Sequence, residues 1–243
     1  MRVLMFDIDT LRSDHLSCYG YGRNTSPTID SIAKEGVRFA DYYCPNAPCL
    51  PSRASLITGQ YGIRTGVVGH GGTAADLRLQ GETRHFTDDY SENGLFMQFR
   101  QAGMHTVSFS TFPERHSAWW FNCGFNEMYN VGKRGSESAE DVTPHVLDWL
   151  KRNADKDNWF MHVHFWDPHT PYRAPASFGN PFADEPLPDN WIDDKIFADH
   201  LMHIGPHGAN EINMWNDDTN ATRPRHPGKL ETLADMKNFI DNY

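Results

Sequence analysis

The run Cys49-Leu50-Pro51-Ser52-Arg53-Ala54-Ser55-Leu56-Ile57-Thr58-Gly59 carries the chain's most pointed chemistry. Pro51 suits a helix's first turn, and Leu56 and Ile57 supply the apolar inner face that would anchor it. Cys49 then stands at a helix mouth, where unpaired backbone N–H groups favour negative charge by roughly 0.3–1 kcal/mol when exposed. Arg53 adds a planar donor fork. Nucleophilic attack on a bound anion fits this set; the plain alternative is a buried cysteine filling core space. Asp7 and Asp9 close an apolar run, stand two apart and can face the same way, at the sheet edge where open α/β proteins bind ligands. Their hard oxygens suit Ca²⁺ or Mg²⁺, or else they merely end a strand. In His162-Val163-His164-Phe165-Trp166-Asp167-Pro168-His169, His162 and His164 share one strand face, and His169 lies on the loop beyond, within reach of a substrate.

These motifs resemble the type I, formylglycine-dependent sulfatases of the alkaline phosphatase-like superfamily. The resemblance rests on Cys49-x-Pro51-Ser52-Arg53 through Thr58-Gly59 and its continuation to Gly66. It also rests on Asp9-Thr10-Leu11-Arg12 followed by Asp14-His15 and Cys18-Tyr19-Gly20, and on Asp167-Pro168-His169-Thr170-Pro171-Tyr172. It implies that a maturation enzyme oxidises Cys49 to formylglycine, whose hydrate attacks sulfur with the help of a divalent cation and then expels sulfate. Catalysis would fall to Cys49, Arg53 and His169. Asp9, with Asp7 in reserve and the hydroxyl on residue 49, would hold Ca²⁺ or Mg²⁺, and His70 and His116 would face the substrate, a small sulfated molecule and by family expectation a carbohydrate.

The chain departs from the family in three places. Thr10 stands where many members carry a second adjacent aspartate. Phe109 to His116 replaces the usual Gly-Lys-Trp-His, leaving Arg115 or His116 as substitutes. No late strand ending in Asp-His-Gly or Asp-Asn-Gly is visible, because Asp199-His200 lacks the glycine and sits in a helical pattern. The chain therefore reads as the N-terminal portion of the family's catalytic domain, truncated before the late metal-ligand strand and C-terminal subdomain. Two other readings stand beside sulfate ester hydrolysis: a phosphonate monoester hydrolase or phosphodiesterase of the same superfamily, and an inactive, truncated half-domain that binds sulfate weakly or self-associates through an exposed sheet edge.

The elements that must position these residues alternate. Strands are expected at 3–8, 105–110 and 159–166, and helices at 27–35, 52–58, 92–102 and 139–153. That order predicts an α/β fold with a largely parallel sheet flanked by helices. Residues 174–229, rich in Pro, Asn, Asp and His, read as a long irregular insertion over one end of the sheet. Trp119, Trp120 and Phe121 read as packing. With 243 residues, 39% of them hydrophobic, the chain can bury a substantial core as one soluble domain. Its formal charge of -10 argues against a nucleic-acid surface, and no run is long enough to span a bilayer. Cys18, Cys44, Cys49 and Cys123 have neither zinc spacing nor a disulfide framework, which predicts reduced thiols. Met1 leads straight into Val3-Leu4-Met5-Phe6 without a leader pattern, pointing to the cytoplasm.

Overall fold

Four strands in a computed structural model of the protein pair only in parallel, so each connection between them must cross over a sheet face. The structure describes residues 1–78, 89–170, 172, 174–188, 192–202 and 230–243. In chain order the elements are β1 (Arg2–Ile8), α1 (Pro27–Glu35), α2 (Cys49–Thr58), α3 (Gly62–Thr65), α4 (Asp89–Asn93), α5 (Leu95–Gln101), β2 (His105–Phe109), α6 (Phe112–His116), β3 (Glu127–Tyr129), α7 (Ala139–Asn153), β4 (Trp159–Phe165), α8 (Asp194–Met202) and α9 (Leu233–Asn242). The sheet order is β1-β4-β2-β3.

The residues divide into two compact units. The first comprises Met1–Asp9 and Phe39–Trp166 and holds the sheet. Its architecture follows from β4, which is apolar or buried on both faces, as an interior parallel strand must be. Trp159, Met161 and Val163 pack with Val142, Val146 and Trp149 of α7 on one face. On the other, Phe160 joins Leu50, Ala54 and Ile57 of α2 and Phe96 of α5. Burial of that apolar stripe carries α7 through Pro144, whose missing N–H would otherwise break a helix, and a Ser138–Asp141 capping box starts it. β1 is one edge of the described sheet, with β3 the other: Val3 and Met5 pack on the α2 layer, while Leu4 and Phe6 are 41% and 52% exposed.

The second unit comprises Thr10–Arg38 and Asp167–Tyr243. Ile192, Phe197, Leu230 and Phe239 form its core. Arg23, almost fully buried, bonds Glu185 at 3.0 Å, Asp241 at 2.8 Å and the Pro186 carbonyl at 3.0 Å, which satisfies a guanidinium held away from water.

Several boundaries differ from expectation. The helix expected at 92–102 is two helices, because Gly94 takes an extended conformation between Asn93 and Leu95. α2 begins at Cys49 rather than residue 52, so the cysteine is part of the first turn. β3 has three residues and no apolar run, and was not anticipated. Within 174–229, α8 is regular; 189–191 and 203–229 lie outside the described residues. Phe121 is buried core, whereas Trp119 is 63% exposed. None of the four cysteines forms a disulfide. No described helix is long and apolar enough to cross a membrane.

Among the described glycines of the first unit, Gly124 leaves the least room for a side chain. Its φ is +99°, and an added Cβ would lie 2.3 Å from the Met97 nitrogen. Backbone strain and overpacking each cost about 1–3 kcal/mol. Urea unfolding of Gly124→Ala should therefore show a loss on the order of 2–4 kcal/mol; an unchanged midpoint would mean that the α5 end yields freely.

Candidate active site

α2 points its first turn at the ends of β1 and β4. Arg53 follows Cys49 by one turn, so its long side chain reaches β1 beneath the cysteine. Its Nε and Nη2 each donate to Asp7, both at 2.8 Å, and Nη1 lies 3.0 Å from Asp9 Oδ2. The guanidinium is buried and rests 4.4 Å from the Phe112 ring centroid. One cation thus bridges two carboxylates. Asp9 stays in line because its N–H donates to the Phe165 carbonyl at 2.9 Å.

Electrostatics follow from this clamp. Burial would raise the Asp7 pKa, but a hydrogen bond from His162 and the charge of Arg53 outweigh it and hold the carboxyl well below its usual range. Burial would lower Arg53; Asp7 and Asp9 push it up instead. His164 lies 3.7 Å from Asp9 Oδ2, and burial lowers its pKa. The sequence left the roles of His162 and His164 open. Parallel pairing supplies the reason they matter, since Met5 stands opposite His162 and Asp7 opposite His164. Two Asp-x-Asp and His-x-His segments on adjacent parallel strands were the signal in the sequence.

Cys49 Sγ is 3.2 Å from His70 Nε2 and 3.8 Å from His116 Nε2. The Leu50 N–H donates to the same His70 nitrogen at 3.4 Å, which makes Nε2 an acceptor. The first turn of α2 therefore lacks the row of unpaired N–H groups expected there: Leu50 N–H is taken by His70, Pro51 has none, and Ser52 N–H donates to the Pro48 carbonyl at 3.1 Å. His116 ends α6, anchored by buried Phe112 and Pro113. Burial, then His70 and Arg115, lowers the His116 pKa to about 4. Burial, then the Asp9 charge, pushes the Cys49 thiol up to about 11. At neutral pH the unmodified site therefore presents a thiol and a neutral imidazole. Arg115 is turned to the Trp166 ring, 5.2 Å from its centroid. Buried Glu137 accepts from the Trp166 indole at 2.7 Å and from the Thr111 hydroxyl, and Trp166 in turn packs edge-on against His164. Nothing in the polar stretch around Glu137 announced that role.

His169 belongs to the second unit, where its Nδ1 lies 2.6 Å from the Thr170 carbonyl. A hard divalent cation needs about six or more oxygen ligands. Among the described residues, no group of three or more His, Cys, Asp and Glu side chains is arranged to hold a metal. Asp9 and residue 49 make at most two ligands, so the described residues do not fit such a site.

A sequence profile of the Sulfatase family matches residues 3–195. The chain belongs to the sulfatase family. Members generally use a metal ion and formylglycine. The uncharacterized sulfatase YidJ of Escherichia coli (strain K12) is 24% identical over 213 residues, covering 72% of this chain and 40% of that protein. The phosphonate monoester hydrolase of Silicibacter pomeroyi has a TM-score of 0.62 at 20% identity, covering all of this chain and 56% of the other. A structure solved in complex with its substrate, D-glucosamine-2-N,6-O-disulfate, has a TM-score of 0.58 at 19% identity, over 98% of this chain and 52% of that one. The chain spans less than half the length of the curated relatives it matches. The structural likenesses establish the alkaline phosphatase-like fold.

The lowered His116 pKa has a definite sign in stability. Between about pH 6.5 and 4 the unfolded chain takes up a proton at His116 that the folded chain refuses, so this group's stabilisation is lost as pH falls through that window. Chemical unfolding of His116→Gln should show a shallower loss over that range; an unchanged slope would mean that His116 protonates normally. Cys49 should alkylate on the order of 10²-fold more slowly than exposed Cys44 at pH 8, given its raised pKa.

Proposed function

We propose that this chain forms the nucleophile-bearing part of an enzyme that hydrolyses a sulfate ester, with Cys49 converted to formylglycine. One observation carries the reading: residue 49 sits in the first turn of α2 with two histidine Nε2 atoms at 3.2 and 3.8 Å. Cys49 Sγ marks the place where an oxygen of the modified residue would stand. An unmodified thiol there is a poor nucleophile, since its raised pKa keeps thiolate scarce. Formylglycine supplies, as its hydrate, two hydroxyls on one carbon, one to attack sulfur and one whose loss of a proton expels sulfate.

The chain's own residues support this chemistry. His70 Nε2, an acceptor, takes a proton from a hydroxyl on residue 49. Neutral His116 donates to a sulfate oxygen, and the positive end of the α2 dipole adds favourable potential. Arg53 holds the carboxylates of β1 beneath the nucleophile. Asp9, paired with Arg53 through Oδ2, would be the carboxylate offered to Ca²⁺ or Mg²⁺, whereas both oxygens of Asp7 are held by the Arg53 fork. The Asp167-Pro168-His169 motif supports giving His169 the role of donor to the leaving oxygen, a role drawn from the sequence alone. A sulfated carbohydrate is the substrate class this reading favours, supported by the glucosamine disulfate bound to one of the structural relatives.

Co-expression with a formylglycine-generating enzyme, followed by mass analysis of the peptide containing residue 49, should show the thiol replaced by an aldehyde. Cys49→Ala should abolish aryl sulfate turnover without unfolding the chain. Only unmodified cysteine after verified co-expression would sink the mechanism, and faster cleavage of an aryl phosphonate ester would assign the site to phosphonate hydrolysis. In the matured enzyme, His169→Ala should lower turnover by roughly 10²–10⁴-fold with little change in Tm. Retained activity with early melting would make His169 structural.

A further inference from the structure

A polar line runs under three adjacent strands in an otherwise aromatic layer. Ser108 of β2 is the ladder partner of His162 on β4, and Ser108 Oγ lies 3.0 Å from His162 Nδ1. His162 Nε2 lies 3.4 Å from Oδ2 of Asp7 on β1. Asp7 then receives both bonds of the Arg53 fork. Phe96, Phe121 and Phe125 surround the imidazole with ring centroids at 5.4, 5.5 and 6.0 Å, and His162 is fully buried.

We propose that Ser108 and His162 are positioning residues that orient Asp7 and, through it, the Arg53 fork beneath residue 49. The direction of the line is dictated by its end. An ionised carboxylate only accepts, so Nε2 must carry the proton that faces Asp7. In a neutral ring Nδ1 is then an acceptor, and the Ser108 hydroxyl donates to it. Every donor thus points toward Asp7, and Ser108 selects the tautomer. With the backbone of β1 already set by the ladder, the remaining freedom of Asp7 is rotation of its carboxyl. Arg53, tied to Asp9 as well through Nη1, restrains the swing of that carboxyl from the α2 side only. The bond from His162, arriving from the neighbouring strand, stops that swing. A histidine retained only for packing would need neither partner, and phenylalanine would serve as well in that ring cluster.

The effect on turnover rests on the sulfate ester reading; the geometric claim does not. The test uses the full ¹⁵N-labelled chain, with the Arg53 Nε–H signal assigned by its loss in Arg53→Lys. His162 should resonate as the Nε2–H tautomer, and Arg53 Nε–H should be protected from solvent exchange. His162→Phe should speed that exchange by about tenfold or more and lower kcat on an aryl sulfate by about 10–100-fold, the range for losing a support behind a site residue. His162→Gln, which restores an N–H donor, should recover much of both. Ser108→Ala should mix the two tautomers of His162 without unfolding the chain. An Nδ1–H tautomer in the wild type, or full Arg53 protection in His162→Phe, would overturn the proposal. If His162→Phe fails to fold, the wild-type tautomer and Ser108→Ala still decide it. Loosened Arg53 with unchanged turnover would sustain the positioning role and tell instead against Arg53 in the proposed reaction.

Discussion

A buried guanidinium shared by two carboxylates is the constraint around which the first unit is built. Arg53 comes from α2 and Asp7 from β1, with Asp9 next beyond the strand, so satisfying this one charge fixes the helix against the sheet edge. A buried pair broken on one side typically costs about 3–5 kcal/mol, because the survivor is left charged and dry. The pairing therefore sets where α2 can sit, and with it the position of Cys49 one turn earlier. The aromatic ring of Phe112 closes the lower face of the fork and places α6 and its terminal His116 beside the same residue.

The surroundings of Cys49 are tuned in the opposite sense. The charges are concentrated below, in the clamp, while the cysteine and His116 are held neutral by burial and by their neighbours. An environment that disfavours a thiolate is a poor one for a cysteine nucleophile and an acceptable one for a neutral hydroxyl activated only at the moment of reaction. The location of residue 49 in the first turn of α2 puts it at the positive end of the helix dipole, which suits a bound sulfate group.

Much of the second unit rests on the same logic at smaller scale. Arg23 ties together segments far apart in the chain, and its partners Glu185 and Asp241 are as necessary to its burial as Asp7 is to that of Arg53. In both units an arginine replaces part of what a larger apolar core would do, and in both its planar fork allows several oxygens to be satisfied at once.

The local chemistry and most elements were legible in the chain itself. The helices expected at 27–35 and 139–153 are found there, and in the structure Pro27 and the Ser138–Asp141 box mark their starts. The Cys49 segment, Asp7, Asp9 and the histidines of β4 announced themselves by type and spacing. What sequence spacing cannot express is which partner a polar group meets once strands from distant segments lie side by side. Only the tertiary structure decided that Asp7 receives the Arg53 fork, that Ser108 stands beside His162, and that Glu137 reaches the Trp166 indole. Those outcomes depend on parallel register across β1, β4 and β2, which is set by long crossovers and by burial of both sheet faces rather than by any short run of residues. The split at Gly94 and the brief β3 were hidden for the same reason, since tertiary packing overrides weak local preference wherever an element is only a few residues long.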